Sequence, residues 1–128
     1  MSSSPPALPK PSQGEIWVVK LPTEPPGKGP RYVIVVSTDA QNHHPRATTV
    51  LVVPLSTTLS SFPCLQLSPG ETGFGETSEI WANGVSCVPR ASLLPPRYPL
   101  RKLSRGTICS IARCVVRAMG VLPSEIAD

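Results

Sequence analysis

Two continuous apolar runs organise this chain: Tyr32-Val33-Ile34-Val35-Val36 and Val50-Leu51-Val52-Val53-Pro54-Leu55. Both are mostly β-branched, the composition of buried strands. They predict strands at Arg31–Ser37 and Thr48–Leu55, and the unbroken apolar character of the latter predicts cover on both faces. An earlier strand is predicted at Gly14–Lys20, where Ile16, Trp17, Val18 and Val19 lie between turn formers. Shorter ones are predicted at Cys64–Leu67, at Glu79–Ala82 with Val85–Val88, and at Pro99–Leu103. Near the C-terminus the period changes. Ile108, Ile111, Ala112, Val115 and Met119 recur at spacings of three and four, with Ser110, Arg113 and Arg117 on the other side, which predicts a helix. Ser104 or Thr107 can cap its start, and Gly120 with Pro123 marks its end. Five or six short strands followed by one helix imply a mainly β protein of the α+β class, a small, strongly bent antiparallel sheet or half-open barrel with the helix packed on it.

Proline, glycine and serine punctuate these elements. Residues 1–13 carry four prolines among serines and read as an extended, disordered tail. Leu21–Pro30, with four prolines and two glycines, is a loop leading into Arg31. Thr38–Ala47 is a polar connection holding both histidines, Ser56–Ser61 a hydroxyl-rich loop, Pro69–Gly75 a glycine-rich turn and Arg90–Tyr98 a proline-rich one. At 128 residues without an internal repeat, the chain fits one domain, 14–123, with 124–128 as a short tail.

A net charge of +4 and a pI near 9.1 favour an anionic partner. No apolar run is long enough to span a bilayer and the N-terminus lacks the apolar stretch of a signal peptide, so a soluble, cytoplasmic protein without membrane contact is expected. In that compartment the four cysteines, which lack zinc-site spacing, would stay reduced as small core residues, and Cys109 and Cys114 would point to different faces of the helix. His43 and His44 belong to a solvated loop. The phosphate-cradling glycine loop with its lysine, the nucleophile elbow and the zinc-binding helix signature are all missing.

Arg31 is the candidate of most chemical interest. It offers a permanently charged fork of donors that matches a phosphate, held at the mouth of a rigid strand. Ser56-Thr57-Thr58 lies at the end of the neighbouring apolar strand, where hydroxyls beside a guanidinium can bind the non-bridging oxygens of a phosphodiester. From Gly14 to about Leu122 the chain resembles the MazF/PemK family of toxin endoribonucleases from bacterial toxin–antitoxin pairs. The opening motif of that family appears as Gly14-Glu15-Ile16-Trp17, its arginine strand as Arg31-Tyr32-Val33-Ile34-Val35-Val36-Ser37, and its Val-Pro-x-Thr segment as Val53-Pro54-Leu55-Ser56-Thr57 with Pro63. Its later Leu-Ala-Asp-Gln segment appears as Trp81-Ala82-Asn83-Gly84-Val85-Ser86.

The resemblance implies a CcdB/PemK/MazF-type, SH3-like half-open barrel. It also implies an endoribonuclease that needs neither metal nor other cofactor and cuts single-stranded RNA at a short sequence by attack of the ribose 2′-hydroxyl. The family's catalytic arginine falls on Arg31 and its catalytic threonine on Ser56. Lys28, Thr57, Asn83 and Arg90 are the candidate RNA contacts. A homodimer and a cognate antitoxin are the implied protein partners. Three departures stand out: Asn83, Gly84 and Ser86 replace the acid, the glutamine and the basic residue of the later segment; Glu24 lies farther upstream than the family's loop acid, with Lys28 closer to Arg31; and Ser56 keeps a hydroxyl without the threonine methyl. Asn83 cannot serve as a general base or acid. On the same fold, CcdB-like toxins bind DNA gyrase and cut nothing, and a peptide-binding module of SH3 type is a further alternative.

Overall fold

A computed structural model of the chain describes residues 8–20, 29–60, 64–97 and 99–126. Six strands form one antiparallel sheet: β1 (Ile16–Val19), β2 (Arg31–Val35), β3 (Thr49–Ser56), β4 (Gln66–Leu67), β5 (Ser78–Ile80) and β6 (Ser86–Pro89). The order is β1-β2-β3-β5-β4, with β6 paired to β3. The long β3 therefore has two partners on one edge. Thr49–Val52 pairs with β6, and Leu55 and Ser56 pair with β5. Pro54, which has no N–H to give a ladder, falls at the break between the two. After β6 the chain bends back and Leu94 exchanges two backbone hydrogen bonds with Val18 on the outer edge of β1, curling the sheet into a half-open form.

The apolar runs are explained by burial on both faces. On one face, Ile16, Ile34, Val53, Leu55, Leu67 and Ile80 meet Ile108 and Ile111 of α3 (Arg105–Ala118). On the other, Val19, Val33, Val35, Val50, Val52 and Val88 pack on one another and on Leu93. Each such side chain contributes roughly 1.5–3 kcal/mol by leaving water. Gly14 shows why the fold opens on glycine. Its φ is +94°, and a Cβ there would lie 2.7 Å from the Leu103 carbonyl oxygen, whereas the actual backbone bonds both Val35 and Leu103.

Several expectations change. The polar connection contains a one-turn helix, α1 (Asp39–Asn42), capped by the Thr38 side chain. The glycine-rich turn contains α2 (Pro69–Thr72), closed by a Ser68–Glu71 capping box. Pro99–Leu103 forms no strand, because Arg101 and Leu103 give their amides to Thr72 and Gly14 instead of to one ladder. On α3 the buried stripe is Ile108, Ile111 and Cys114, while Ala112 and Met119 are exposed. Cysteine chemistry differs most: Cys64 and Cys114 form a disulfide across a separation of 50 residues, and Cys87 and Cys109 are exposed thiols. The expectation of four reduced core cysteines is corrected on both counts. Residues 8–13 also pack onto the fold, with Pro11 buried and Ser12 and Gln13 hydrogen-bonded, although their composition reads as tail.

Candidate active site

The β2–β3 register pairs Val33 with Pro54. Two residues farther along the same register, Arg31 comes opposite Ser56, and the period of two sends both side chains to the same face. They line an open cleft of about 730 Å³ together with Tyr32, Leu55, Thr57, Phe74, Glu76 and Ser78. Tyr32 and Phe74 build one wall as an edge-to-face pair, centroids 4.9 Å apart. Ser56 Oγ accepts from the Thr58 amide at 3.1 Å and donates to the Thr58 carbonyl at 3.3 Å. The donated bond is long for a hydroxyl, so an incoming oxyanion can accept that hydrogen bond instead, while the Thr58 amide bond keeps the turn closed. Ser78 is fully buried, and its Oγ has no hydrogen-bond partner.

Among the described residues, the cleft mixes the cation Arg31 with the carboxylate Glu76 and the hydroxyl-bearing Ser56 and Thr57 at the end of β3. A guanidinium and hydroxyl donors can hold a phosphodiester through its non-bridging oxygens, and the carboxylate supplies a proton acceptor. Beyond the cleft, Arg31 Cζ lies 5.4 Å from the centroid of the Trp81 ring.

Three of the candidates from sequence, Arg31, Ser56 and Thr57, thus share one cleft. Asn83 is exposed in a neighbouring hollow with Trp81, Glu79 and Arg117. Lys28 lies outside the described residues. Arg90 is a correction: it is only 3% exposed, and its guanidinium donates to the carbonyls of Pro9 (3.0 Å), His44 (3.1 Å) and Ala47 (2.6 Å). It fastens three segments together and does not line a groove. His43 and His44 are exposed, as expected of the loop.

Sequence reasoning missed Glu76, Ser78 and Trp81. The signal for Ser78 was its place two residues before Ile80, on the same face of β5. The signal for Trp81 was its pairing with a glycine three residues later. Glu76 carried none, since it reaches the cleft only through the path of the α2–β5 connection.

This architecture is found in solved toxin structures. An endoribonuclease in complex with its cognate antitoxin, from a mycobacterial species, is 20% identical over 86% of this chain and 95% of its own, with a TM-score of 0.63. An endoribonuclease from a mycobacterial species is 20% identical, covering 91% and 96%, at 0.65. The Mycobacterium tuberculosis toxin MazF-mt6 is 17% identical, covering 83% and 96%, at 0.62. No curated protein matches the chain. The fold is therefore that of the MazF-like toxins. The model of the PemK-like, MazF-like toxin of type II toxin–antitoxin systems matches residues 12–119, and the chain belongs to that family. Among the described residues, no helix is long and apolar enough to cross a membrane.

Proposed function

We propose that this toxin is an endoribonuclease that cuts single-stranded RNA at a short recognition sequence, with Arg31 and Ser56 as its catalytic residues. The 2′-hydroxyl oxygen of one ribose attacks the adjacent phosphorus, and the bond from phosphorus to the next 5′-oxygen breaks. The products are a 2′,3′-cyclic phosphate and a free 5′-hydroxyl. The attacking hydroxyl gives its proton to a base, a role this reading assigns to Glu76, a carboxylate that lines the cleft. A proton from an acid or from water completes the departing 5′-hydroxyl. Nucleophile and leaving group both belong to the RNA, so the protein need supply only charge stabilisation and proton transfer.

One observation carries the reading: Arg31 and Ser56, at adjacent strand ends, line one open cleft. The phosphorane-like transition state bears more negative charge than the ground state, and fixed donors aimed at it lower the barrier. Thr57 adds a hydroxyl beside Ser56, and Lys28 and Asn83 extend the RNA contact beyond the scissile linkage. Family membership supports a cognate antitoxin that covers the cleft, a homodimer, and action in the cytoplasm where RNA is found.

The test is incubation of the purified protein with a mixed RNA, followed by sequencing of the ends. Cuts clustered at one short motif with 5′-hydroxyl ends are expected, together with their loss in Arg31→Ala. Intact RNA accompanied by gyrase inhibition would overturn the proposal in favour of a non-cutting toxin.

A further inference from the structure

Trp81 follows β5 directly, and its amide donates to the Pro54 carbonyl at 3.0 Å. Its own carbonyl accepts from the Gly84 amide at 3.0 Å, closing the 3-10 turn Ala82–Gly84 that folds the chain back against the indole. A Cβ at Gly84 would lie 2.6 Å from Trp81 Cε3, 3.0 Å from its Cδ2 and 2.9 Å from Pro54 Cγ. No residue with a side chain fits there while the indole keeps its place. Trp81 and Gly84 are thus one device: the large ring needs the missing side chain three residues on.

The seated indole stays 42% exposed, and the Arg31 guanidinium lies over it at 5.4 Å, within the range of a cation–π contact. Pro54, the other part of the seat, shares with Arg31 one sheet face through the Val33–Pro54 pair. An arginine side chain has many rotamers, and a guanidinium that must meet a developing phosphorane works best when it is held in place beforehand.

We infer that Trp81 is a positioning residue for Arg31: its indole, seated on Gly84 and Pro54, holds the guanidinium at the mouth of the cleft. The catalytic consequence rests on the proposed ribonuclease reading, but the contact itself is testable without RNA. The chain has two tryptophans, so Trp17→Phe leaves Trp81 as the single indole. In that background Arg31→Ala is expected to shift the emission and to raise acrylamide quenching of Trp81. Gly84→Ala, which pushes the indole off its seat, should do the same. Unchanged emission and quenching in both variants would overturn the contact.

The second arm reads cleavage kinetics. Trp81→Leu is expected to lower kcat about tenfold with KM nearly unchanged, and Trp81→Phe to restore most of the rate. A raised KM at unchanged kcat would overturn positioning and make Trp81 an RNA contact, as would equal losses in the leucine and phenylalanine variants. If the unmutated protein cuts no RNA while the fluorescence changes appear, the ribonuclease reading fails and the Arg31–Trp81 contact stands.

Discussion

Arg31, the first residue of β2, and Ser56, the last of β3, sit opposite each other at the open end of two strands whose buried middles pair Val33 with Pro54 and Ile34 with Val53. The core sets the register. Slipping it by one residue would turn Val33 and Val35 to the wrong face, so the packing that stabilises the sheet also aligns a cation with a hydroxyl. The proposed function thus depends on burial some distance away.

Removing either member should therefore affect activity without loss of fold. Arg31→Ala is expected to lower RNA cleavage by about 10²–10³-fold, the usual loss for one preorganised charge-stabilising donor. Arg31→Lys should recover little of it, because an ammonium lacks the fork. Ser56→Ala should lose at least about tenfold and Ser56→Thr should keep the rate, since the hydroxyl is retained. Initial rates on a defined oligonucleotide, with thermal melts as the control for folding, check all four.

Arg90 predicts the opposite division. Its guanidinium is buried and satisfies the carbonyls of Pro9, His44 and Ala47. Arg90→Ala would strand three acceptors and should cost on the order of 3 kcal/mol, read as a lower guanidinium chloride midpoint. With conditions chosen so that the variant is folded, its RNA cleavage should match the unmutated protein.

Arg31 and Arg90 also show what the sequence could reveal. Strands β1, β2 and β3 were legible because their apolar runs are long, and α3 because its period is regular. The Arg31–Ser56 pairing followed from those strands together with the motif order. Arg90 was misread because nothing local says whether an arginine beside a strand faces solvent or reaches carbonyls 43, 46 and 81 residues away. The stripe of α3 was misplaced for a related reason: Cys114 turns inward to reach Cys64, leaving Ala112 and Met119 outside. Long-range partners of this kind leave no periodic trace. The Ser68–Glu71 box was readable from its spacing, but the surrounding glycines hid it.

The disulfide ties the loop that leaves Ser56 to the middle of α3. Closing a loop of 50 residues restricts the unfolded chain by about 4 kcal/mol on the chain-entropy account. Cys64→Ser, or a reductant, should lower stability by up to that amount. Thiol titration checks the pairing independently: in the unreduced native protein the exposed Cys87 and Cys109 should react, and all four cysteines only after reduction and unfolding. Reaction of Cys64 or Cys114 in the unreduced protein would contradict it.

Asp39 gives the pH dependence. It opens α1, and its Oδ1 accepts from the Gln13 amide at 2.7 Å and from Asn42 Nδ2 at 3.3 Å. The Gln13 bond is the largest influence and holds its carboxyl below the usual range; burial opposes it, and Asn42, His43 and Lys102 add smaller help. Because the folded state binds this proton less tightly than the unfolded chain, the stabilisation is fully present above the ordinary aspartate value of about 3.9. It disappears as pH falls through the lowered folded value. Asp39→Asn keeps an acceptor oxygen and abolishes the titration. The unmutated protein should melt above this variant at pH 7, and the gap should close on acidification to about pH 2. The group is exposed, so the gap should be small and should shrink in about 1 M salt, where the His43 and Lys102 attractions are screened. A gap that widens on acidification would mean that Asp39 is held protonated, and with it the Gln13 contact that joins the N-terminal segment to α1 would fail.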